Sequence, residues 1–243
     1  MCRECGCGHK GTEKGHRPCL EKTIIVGRSV TEANDRLASQ LAHDLLHLGM
    51  LSVNFMGAPG SGKTTVIGNL CRSIPRKDVA VIQGDLESDV DKRRLNALGI
   101  DTAQINTHSG CHLNAAMVEK ALKELRLEGK RFLFIENVGN LVCPAGVNVG
   151  QHVNVVVSST TEGSDKPRKY PIIFRDADMI IISKYDLKKH VGFNETAYLH
   201  DLSGINPQAT VVKASIKDGK GFMQAARFLQ RARERMIGGH HRH

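Results

Sequence analysis

The feature that most constrains the fold is a glycine-rich segment, GAPGSGKT, at residues 57–64, which matches the pattern GxxxxGK[ST]. It follows an apolar run, Leu51 to Met56, and it precedes a helix-forming run, Thr64 to Cys71. In a strand, loop and helix of this order, the backbone N–H groups of the loop converge on phosphate oxygens. We therefore predict a nucleotide phosphate site in which Lys63 neutralises the outer phosphates and the Thr64 hydroxyl ligates magnesium.

The composition suits one sizeable α/β domain with an appendage, because the chain has 243 residues and is 40% apolar. Its basic residues are scattered and 4% of its residues are aromatic, so we expect no nucleic-acid partner despite a net charge of +9. No apolar stretch approaches the roughly 20 residues that span a bilayer, so we expect no membrane partner and a cytoplasmic location. In that compartment the seven cysteines favour metal binding over disulfides.

Six continuous apolar runs alternate with helical segments after residue 50. Continuous rather than alternating hydrophobicity is typical of strands buried on both faces. The predicted fold class is therefore α/β, a doubly wound and mostly parallel sheet of the P-loop NTPase type over residues 51–243. Ligands then bind at the carboxyl ends of the strands. The runs are Leu51–Met56, Val79–Gln83, Phe132–Ile135, Val153–Ser158, Met179–Ser183 and Thr210–Ala214.

Residues 1–22 are rich in glycine, cysteine and charge, so we predict a flexible tail. The thiolates of Cys2, Cys5 and Cys7, together with the terminal amine or His9, suit nickel(II). A redox pair and an incidental cysteine-rich tail are the alternatives. The tail is therefore predicted to be a metal-binding segment separate from the core.

Residues 23–50 are predicted to form an extension packed on the core. It consists of a strand at Thr23 to Val26 and a helix that a Ser29-x-x-Glu32 capping box opens. Leucines recur along that helix at helical spacing, whereas His43 and His47 fall on its far face. We expect this histidine pair to be solvated or hydrogen-bonded rather than to bind a metal. The leucines are Leu37, Leu41, Leu45 and Leu48.

Two acidic residues come at the ends of buried runs. Asp85 follows VAVIQG and Glu136 follows FLFI. Beside a phosphate-binding loop, such an acid can hold magnesium or a magnesium-bound water, although each could also be a carboxylate in a surface turn. We predict that Lys63, Asp85 and Glu136 are the catalytic residues, and that Gly139 senses the γ-phosphate through its amide.

The base-reading element is predicted at Ser183-Lys184-Tyr185-Asp186, which resembles NKxD with serine in place of asparagine. A carboxylate such as Asp186 accepts two hydrogen bonds from guanine, whereas adenine offers no matching donors, so GTP is favoured over ATP. Lys184 can lay its aliphatic stem along the base. The predicted nucleotide contacts are Gly57, Ala58, Pro59, Gly60, Ser61, Gly62, Lys63, Thr64, Thr65, Gly139, Lys184, Asp186 and Ser215.

The sequence also contains a set of candidate metal ligands, Cys111, His112 and Cys143. These side chains suit nickel(II), zinc or copper, although a lone buried cysteine is commonly only a small hydrophobe. Cys143 lies in the segment after Glu136, so metal and nucleotide would share one mobile segment. Three ligands do not close a tetrahedral site, so a fourth comes from water or from a second subunit. A shared site would make the protein a metal- and nucleotide-controlled homodimer.

Several segments of the sequence together carry a family resemblance. CRECGCG, GAPGSGKTT, NTHSGCHLNAAM, FIENVGNLVCPA and TEGSDKPRKYP leading to SKYDL together resemble HypB, the hydrogenase nickel-incorporation GTPases. The resemblance covers essentially the whole chain. It implies a dimerising GTPase that delivers nickel during maturation of nickel-iron hydrogenase. Its implied partners are another nickel-maturation accessory protein and the hydrogenase large subunit.

The resemblance also implies roles for individual residues. Matches to the terminal nickel site are Cys2, Cys5 and Cys7, and matches to the domain metal site are Cys111, His112 and Cys143. Matches to the phosphate and magnesium residues are Lys63, Thr64, Asp85 and Glu136, and matches to the guanine element are Lys184 and Asp186. Ser183 and Ile216 depart from the pattern of GTPases.

Two rival functions remain open. A urease-accessory nickel GTPase shares the architecture but typically carries a Cys-Pro-His motif, which this chain lacks. The other rival is a nickel storage or buffering protein with an uncoupled nucleotide site. No arginine finger is evident, so slow, magnesium-dependent GTP hydrolysis is expected, with Arg168 and Arg175 as candidate trans-acting groups.

Overall fold

The computed structural model describes residues 19–85, 95–107 and 110–240. Within them a single sheet contains seven strands, in the order β3-β2-β4-β1-β5-β6-β7, and all its pairings are parallel. The strands are β1 (Leu51–Met56), β2 (Val79–Asp85), β3 (Asp101–Asn106), β4 (Phe132–Glu136), β5 (Val153–Ser159), β6 (Met179–Ser183) and β7 (Thr210–Lys213). The sheet confirms the predicted α/β class.

Helices precede or follow these strands along the chain. They are α1 (Cys19–His47), α2 (Lys63–Ser73), α3 (Ala115–Leu122), α4 (Lys166–Lys169), α5 (Pro171–Arg175), α6 (Glu195–Ile205) and α7 (Phe222–His240). Asparagine caps start two of them, since Asn114 accepts from the Met117 N–H and Asn194 from the Ala197 N–H. Helix α2 differs, because no side chain caps its first turn at Gly62. Its N-terminal N–H groups are therefore in place for an anion.

The six apolar runs predicted as strands are all strands, and each begins at the predicted residue. Strand β3 was not predicted. It lies at one edge of the sheet and has a mixed burial pattern, because DTAQIN places polar residues on its less covered side. An edge strand of this kind lacks the continuous hydrophobicity on which the prediction depended.

Apolar side chains cover both faces of the sheet in residues 34–243, which form one compact unit. On one face α2 and α7 pack over Val53, Phe55 and Phe134. On the other face α3 and the second half of α1 pack over Ile82 and Ile135. The carboxyl ends of the central strands β4 and β1 remain available for a ligand.

Helix α1 corrects the predicted start of the extension. Thr23 to Val26 lies inside this helix rather than in a strand, and Ser29 and Glu32 do not open it because it begins at Cys19. Extending an existing helix needs no new nucleus, whereas a four-residue strand needs a partner. Residues 19–22 of the predicted tail are likewise helical, and residues 1–18 lie outside the described residues.

The second half of α1 follows the predicted leucine pattern in part. Leu41 and Leu45 are buried, but Leu48 lies beyond the helix and is exposed. His152 fixes this part of the helix to the sheet: its Nε2 lies 2.9 Å from the Ala42 carbonyl oxygen and its Nδ1 accepts from the Ser52 N–H at 2.9 Å. Burial lowers the pKa of His152, which keeps the ring neutral for these two roles.

Candidate nucleotide and metal site

The glycine-rich loop runs from β1 into α2. Gly60 and Gly62 have φ of 72° and 93°, the left-handed region in which glycine is the least strained residue. The Lys63 ammonium lies beneath the loop and donates to the carbonyl oxygens of Gly57 and Ala58, both at 3.1 Å. The loop therefore presents N–H groups and a lysine on one concave surface, as phosphate binding requires.

Close backbone approaches define the walls of this loop. A Cβ on Gly57 would lie 2.3 Å from the Val157 carbonyl oxygen. A Cβ on Gly139 would lie 3.0 Å from the Pro59 Cα, so the segment after β4 rests directly against the loop. This contact places Gly139 against the loop, and its predicted role as a γ-phosphate sensor stays a prediction.

Glu136 ends β4 at the floor of the site and is 7% exposed. One carboxylate oxygen accepts from the Thr64 hydroxyl at 2.7 Å and the other from the Gln83 side-chain amide at 2.9 Å. Gln83 and Glu136 are paired residues of neighbouring strands, which explains the second contact. The backbone of Asp85 ends β2, but its side chain lies outside the described residues.

The site fits a magnesium-bound nucleotide. Thr64 and Glu136 bring together the hard oxygen ligands that magnesium prefers. Buried polar atoms nearby, Ser61 Oγ and Gln83 Oε1, have no hydrogen-bond partner within the described part of the chain. Polar atoms in such a position need a ligand or water. A cavity of about 480 Å³ opens above them and is lined by the loop, Gln83, Glu136, the segment after β4 and Lys184.

The predicted base-reading element is only partly assembled around this cavity. Ser183, which replaces the usual asparagine, donates from its hydroxyl to the Ser61 carbonyl oxygen at 2.6 Å. Lys184 donates to the Gly60 carbonyl oxygen at 2.8 Å and lines the cavity. Asp186 is exposed and Ser215 is buried, and neither lines the cavity. Their contacts with guanine remain predictions.

A small ionic network supports the turn that carries this element. Glu195 at the start of α6 accepts from the Tyr185 hydroxyl at 2.5 Å and from Lys188 at 2.9 Å, and it also pairs with Lys213. Hydrogen bonds from Lys188, Lys213 and Tyr185, in decreasing order of effect, lower the pKa of Glu195 from 4.5 to about 2. The network joins the Tyr185–Leu187 turn to α6 and β7.

We expect Glu195→Gln to destabilise the fold at neutral pH by about 1 kcal/mol, because the site is partly exposed and solvent screens the ion pairs. The pKa of Glu195 is lowered on folding. Its contribution to the free energy of unfolding is therefore fully present above pH 4.5 and disappears as the pH falls toward about 2. The difference between variant and wild type should therefore shrink over that range. Urea unfolding at several pH values measures it. Glu124→Gln, at an exposed carboxylate, is the control, and an equally large loss there would contradict the prediction.

The structure brings the three predicted domain metal ligands close together. Cys111 Sγ lies 3.6 Å from His112 Nδ1. Cys143 lies near Cys111, and the Cys111 side chain is the largest of the effects that raise the pKa of the Cys143 thiol. Within residues 19–85, 95–107 and 110–240, however, no three His, Cys, Asp or Glu side chains already form a group that could hold a metal. A metal would have to draw these neighbouring side chains onto one centre.

The sequence reasoning missed three residues that connect these features, Gln83, Asn137 and Asn140. Gln83 contacts Glu136, as described above. Asn137 accepts from the Leu113 N–H at 3.1 Å, and Asn140 accepts from the Cys143 N–H at 3.2 Å. Their only signal was their place in QGD and ENVGN, beside residues that were singled out.

Several other predicted residues lie elsewhere. Cys2, Cys5 and Cys7 lie outside the described residues. Arg168 and Arg175 do not line the cavity, and Arg175 pairs with Asp176. His43 and His47 are exposed, and their Nε2 atoms lie 3.0 Å apart, which fits the expected hydrogen-bonded pair.

Comparison with known proteins agrees with this geometry. Residues 51–213 match the family described as CobW/HypB/UreG, nucleotide-binding domain. The chain is 37% identical over 225 residues to a hydrogenase/urease maturation factor HypB from Helicobacter hepaticus, with 91% of this chain and 93% of that protein covered. It is 40% identical over 214 residues to a probable hydrogenase maturation factor HypB from Methanocaldococcus jannaschii, covering 88% of this chain and 97% of that protein.

The solved structures agree as well. The crystal structure of HypB from Helicobacter pylori in complex with nickel superposes with a TM-score of 0.80 at 39% identity, covering 84% of this chain and 96% of that chain. Among the helices that the structure describes, none is long and apolar enough to cross a membrane. With the P-loop and the parallel sheet in one domain, this chain belongs to the CobW/HypB/UreG family of nucleotide-binding proteins and, within it, to HypB.

Proposed function

We propose that this protein is a GTP-hydrolysing nickel metallochaperone that delivers nickel during maturation of nickel-iron hydrogenase. One observation carries the proposal: residues 136–143 contribute to both sites. At one end Glu136 contacts Thr64 of the phosphate loop, and at the other Cys143 lies near Cys111, whose side chain raises the pKa of the Cys143 thiol. Nickel in the crystal structure of the Helicobacter pylori relative supports the choice of metal.

The proposed reaction is attack of water on the γ-phosphate of GTP. Lys63 and the loop N–H groups stabilise the charge on the phosphate oxygens, and the Gly139 amide contacts the γ-phosphate. Thr64, Glu136 and Asp85 would hold magnesium, which supplies further neutralisation of phosphate charge when bound. Lys184 and Asp186 would select guanine. Since no arginine lines the described cavity, turnover should resemble the slow intrinsic rate of a GTPase.

The proposed nickel site has Cys111, His112 and Cys143 as ligands, and zinc is the expected competitor because these ligands suit both metals. Three ligands leave one position for water or for a second copy of the chain. A homodimer promoted by GTP and metal would close that position. Cys2, Cys5 and Cys7 form the proposed separate terminal site.

We place the protein in the cytoplasm, where its thiols stay reduced. Its proposed partners are another nickel-maturation accessory protein, which exchanges nickel with it, and the hydrogenase large subunit as the recipient. A second recipient is supported by the name of one relative, the hydrogenase/urease maturation factor of Helicobacter hepaticus. Nickel transfer from the loaded protein to the metal-free hydrogenase subunit or to metal-free urease distinguishes the two recipients.

The test is to measure GTP hydrolysis, nickel affinity and molecular mass on one preparation. Nickel affinity is measured by competition with a chelator, in the presence of GDP and then of a non-hydrolysable GTP analogue. We expect magnesium-dependent hydrolysis of GTP in preference to ATP, a change in nickel affinity between the two nucleotides, and a doubled mass with the analogue and metal. Nickel affinity that is the same with both nucleotides would instead identify a nickel-buffering protein with an uncoupled nucleotide site.

A further inference from the structure

Two asparagine side chains link the nucleotide site to the metal cluster. Asn137 and Asn140 flank Gly139, in the segment that rests against the phosphate loop. Each side-chain oxygen accepts two backbone N–H groups, and in each case one of those donors belongs to the stretch that carries a metal ligand. The pair therefore spans the distance between the predicted γ-phosphate sensor and both halves of the cluster.

Asn137 holds the first half of the cluster. It is 1% exposed, and its Oδ1 accepts from the Leu113 N–H at 3.1 Å and from the Val138 N–H at 3.0 Å. Its Nδ2 donates to Asn54 on β1 at 3.2 Å. Leu113 directly follows His112, so the position of the Cys111-His112 pair depends on Asn137.

Asn140 holds the second half. Its Oδ1 accepts from the Val142 N–H at 2.8 Å and from the Cys143 N–H at 3.2 Å, which places the Cys143 backbone. The backbone N–H of Asn140 donates to the Gly57 carbonyl oxygen at 3.1 Å, the first residue of the phosphate loop. Asn140 thus contacts the nucleotide loop through its backbone and the cysteine turn through its side chain.

A displacement of Gly139 reaches the two asparagines most directly, because Asn140 follows Gly139 and Asn137 lies two residues before it. A γ-phosphate bound by the Gly139 amide is a contact that GDP cannot make. Moving the segment would shift Leu113 on one side and Cys143 on the other, and so change the separation of the cluster's thiols and imidazole. Nickel coordination is sensitive to such a shift, because partners that orient metal ligands strongly affect affinity.

We propose that Asn137 and Asn140 are positioning residues that convey the state of the nucleotide to the nickel ligands. This inference rests on the proposed function and adds the residues through which that coupling acts. In this proposal neither asparagine is a metal ligand. Each acts by fixing the backbone next to a ligand.

The decisive quantity is the coupling ratio, which we define as the nickel dissociation constant with GDP divided by that with a non-hydrolysable GTP analogue. In the wild-type protein we expect this ratio to differ from one by roughly 5- to 150-fold, the usual range for coupled sites. Asn140→Ala, at a half-buried position, should bring it to within about twofold of one while nucleotide affinity stays unchanged. Asn140→Asp keeps the acceptor oxygen and should retain the ratio.

Asn148→Ala is the matched control. Asn148 lies in the same loop, and its Oδ1 accepts from the Gly150 N–H at 3.0 Å in a similar turn that contains no predicted metal ligand. Asn137→Ala should also abolish coupling. Because Asn137 is buried, the melting temperature of this variant must be measured first. A role in stability alone would weaken nickel binding equally with both nucleotides and leave the ratio as in the wild type.

The possible outcomes separate this inference from the proposed function. If the wild type is coupled and Asn140→Ala remains equally coupled, the asparagines do not carry the signal, although the proposed function stands. If Asn148→Ala loses coupling as well, the effect belongs to the loop as a whole and the inference fails. If the wild-type ratio is one, the coupling in the proposed function fails and the inference fails with it. Loss of coupling in Asn140→Ala but not in Asn148→Ala, with coupling retained in Asn140→Asp, supports the inference.

Discussion

Gly57→Ala should abolish nucleotide binding and destabilise the domain by about 4 kcal/mol, the upper range for a single substitution. An added Cβ would lie 2.3 Å from the carbonyl oxygen of Val157 on β5 and 2.9 Å from Ser61 Oγ. The first of these atoms is backbone in a central strand and cannot move aside without breaking the ladder. The loop must therefore shift, which carries the Lys63 contact with the Gly57 carbonyl away from its place.

Gly60→Ala supplies a control from the same loop. Gly60 also has a positive φ, of 72°, but an added Cβ there would meet no atom within 4 Å. Gly60→Ala should lower the free energy of unfolding by about 1 kcal/mol, because it places an alanine in the left-handed region. Urea unfolding gives the stability of both variants, and titration with a fluorescent guanine nucleotide gives their affinity. Wild-type affinity in Gly57→Ala, or equal losses in the two variants, would show that the close approach to β5 is unimportant.

The sequence was sufficient to predict the elements whose signal is local. Strands such as Phe132–Glu136 are buried on both faces, so their hydrophobicity is continuous and visible without any knowledge of their neighbours. The loop between β1 and α2 is likewise a contiguous pattern. Strand β3 was missed because it is an edge strand, and Thr23 to Val26 was wrongly assigned because a short apolar run fits a helix equally well.

The connections within the site could not be predicted in the same way, because they depend on register between distant segments. Gln83 contacts Glu136 only because β2 and β4 pair with those two residues side by side. Asn137 contacts Leu113 across 24 positions of the chain. The sequence proposed Cys111, His112 and Cys143 as one metal site by chemistry and resemblance, and that site stays a prediction. It offered no means of finding the amide groups that hold them.

Cys111→Ala should lower the nickel affinity of the domain site by at least about 100-fold, and Cys143→Ala should do the same. Second-sphere partners of metal ligands are each worth about 10- to 100-fold, so loss of a thiolate ligand should cost more. The measurement is made in a Cys2→Ala/Cys5→Ala/Cys7→Ala background, because the predicted terminal site would otherwise bind nickel as well. Competition with a chelator gives the affinity, and thiolate-to-nickel charge-transfer absorption reports the ligands.

Cys71→Ala is the matched control for both variants. Cys71 is 0% exposed in α2, and burial raises the pKa of its thiol to about 12. Cys71 packs in the apolar core and its burial disfavours the thiolate that binds metal, so its replacement should leave nickel binding and the absorption band unchanged. Cys111 and Cys143 are half-buried and accessible by comparison. If Cys111→Ala retained both the affinity and the band of the background protein, nickel would have to bind elsewhere, and a metal centre built on residues 111, 112 and 143 would be ruled out.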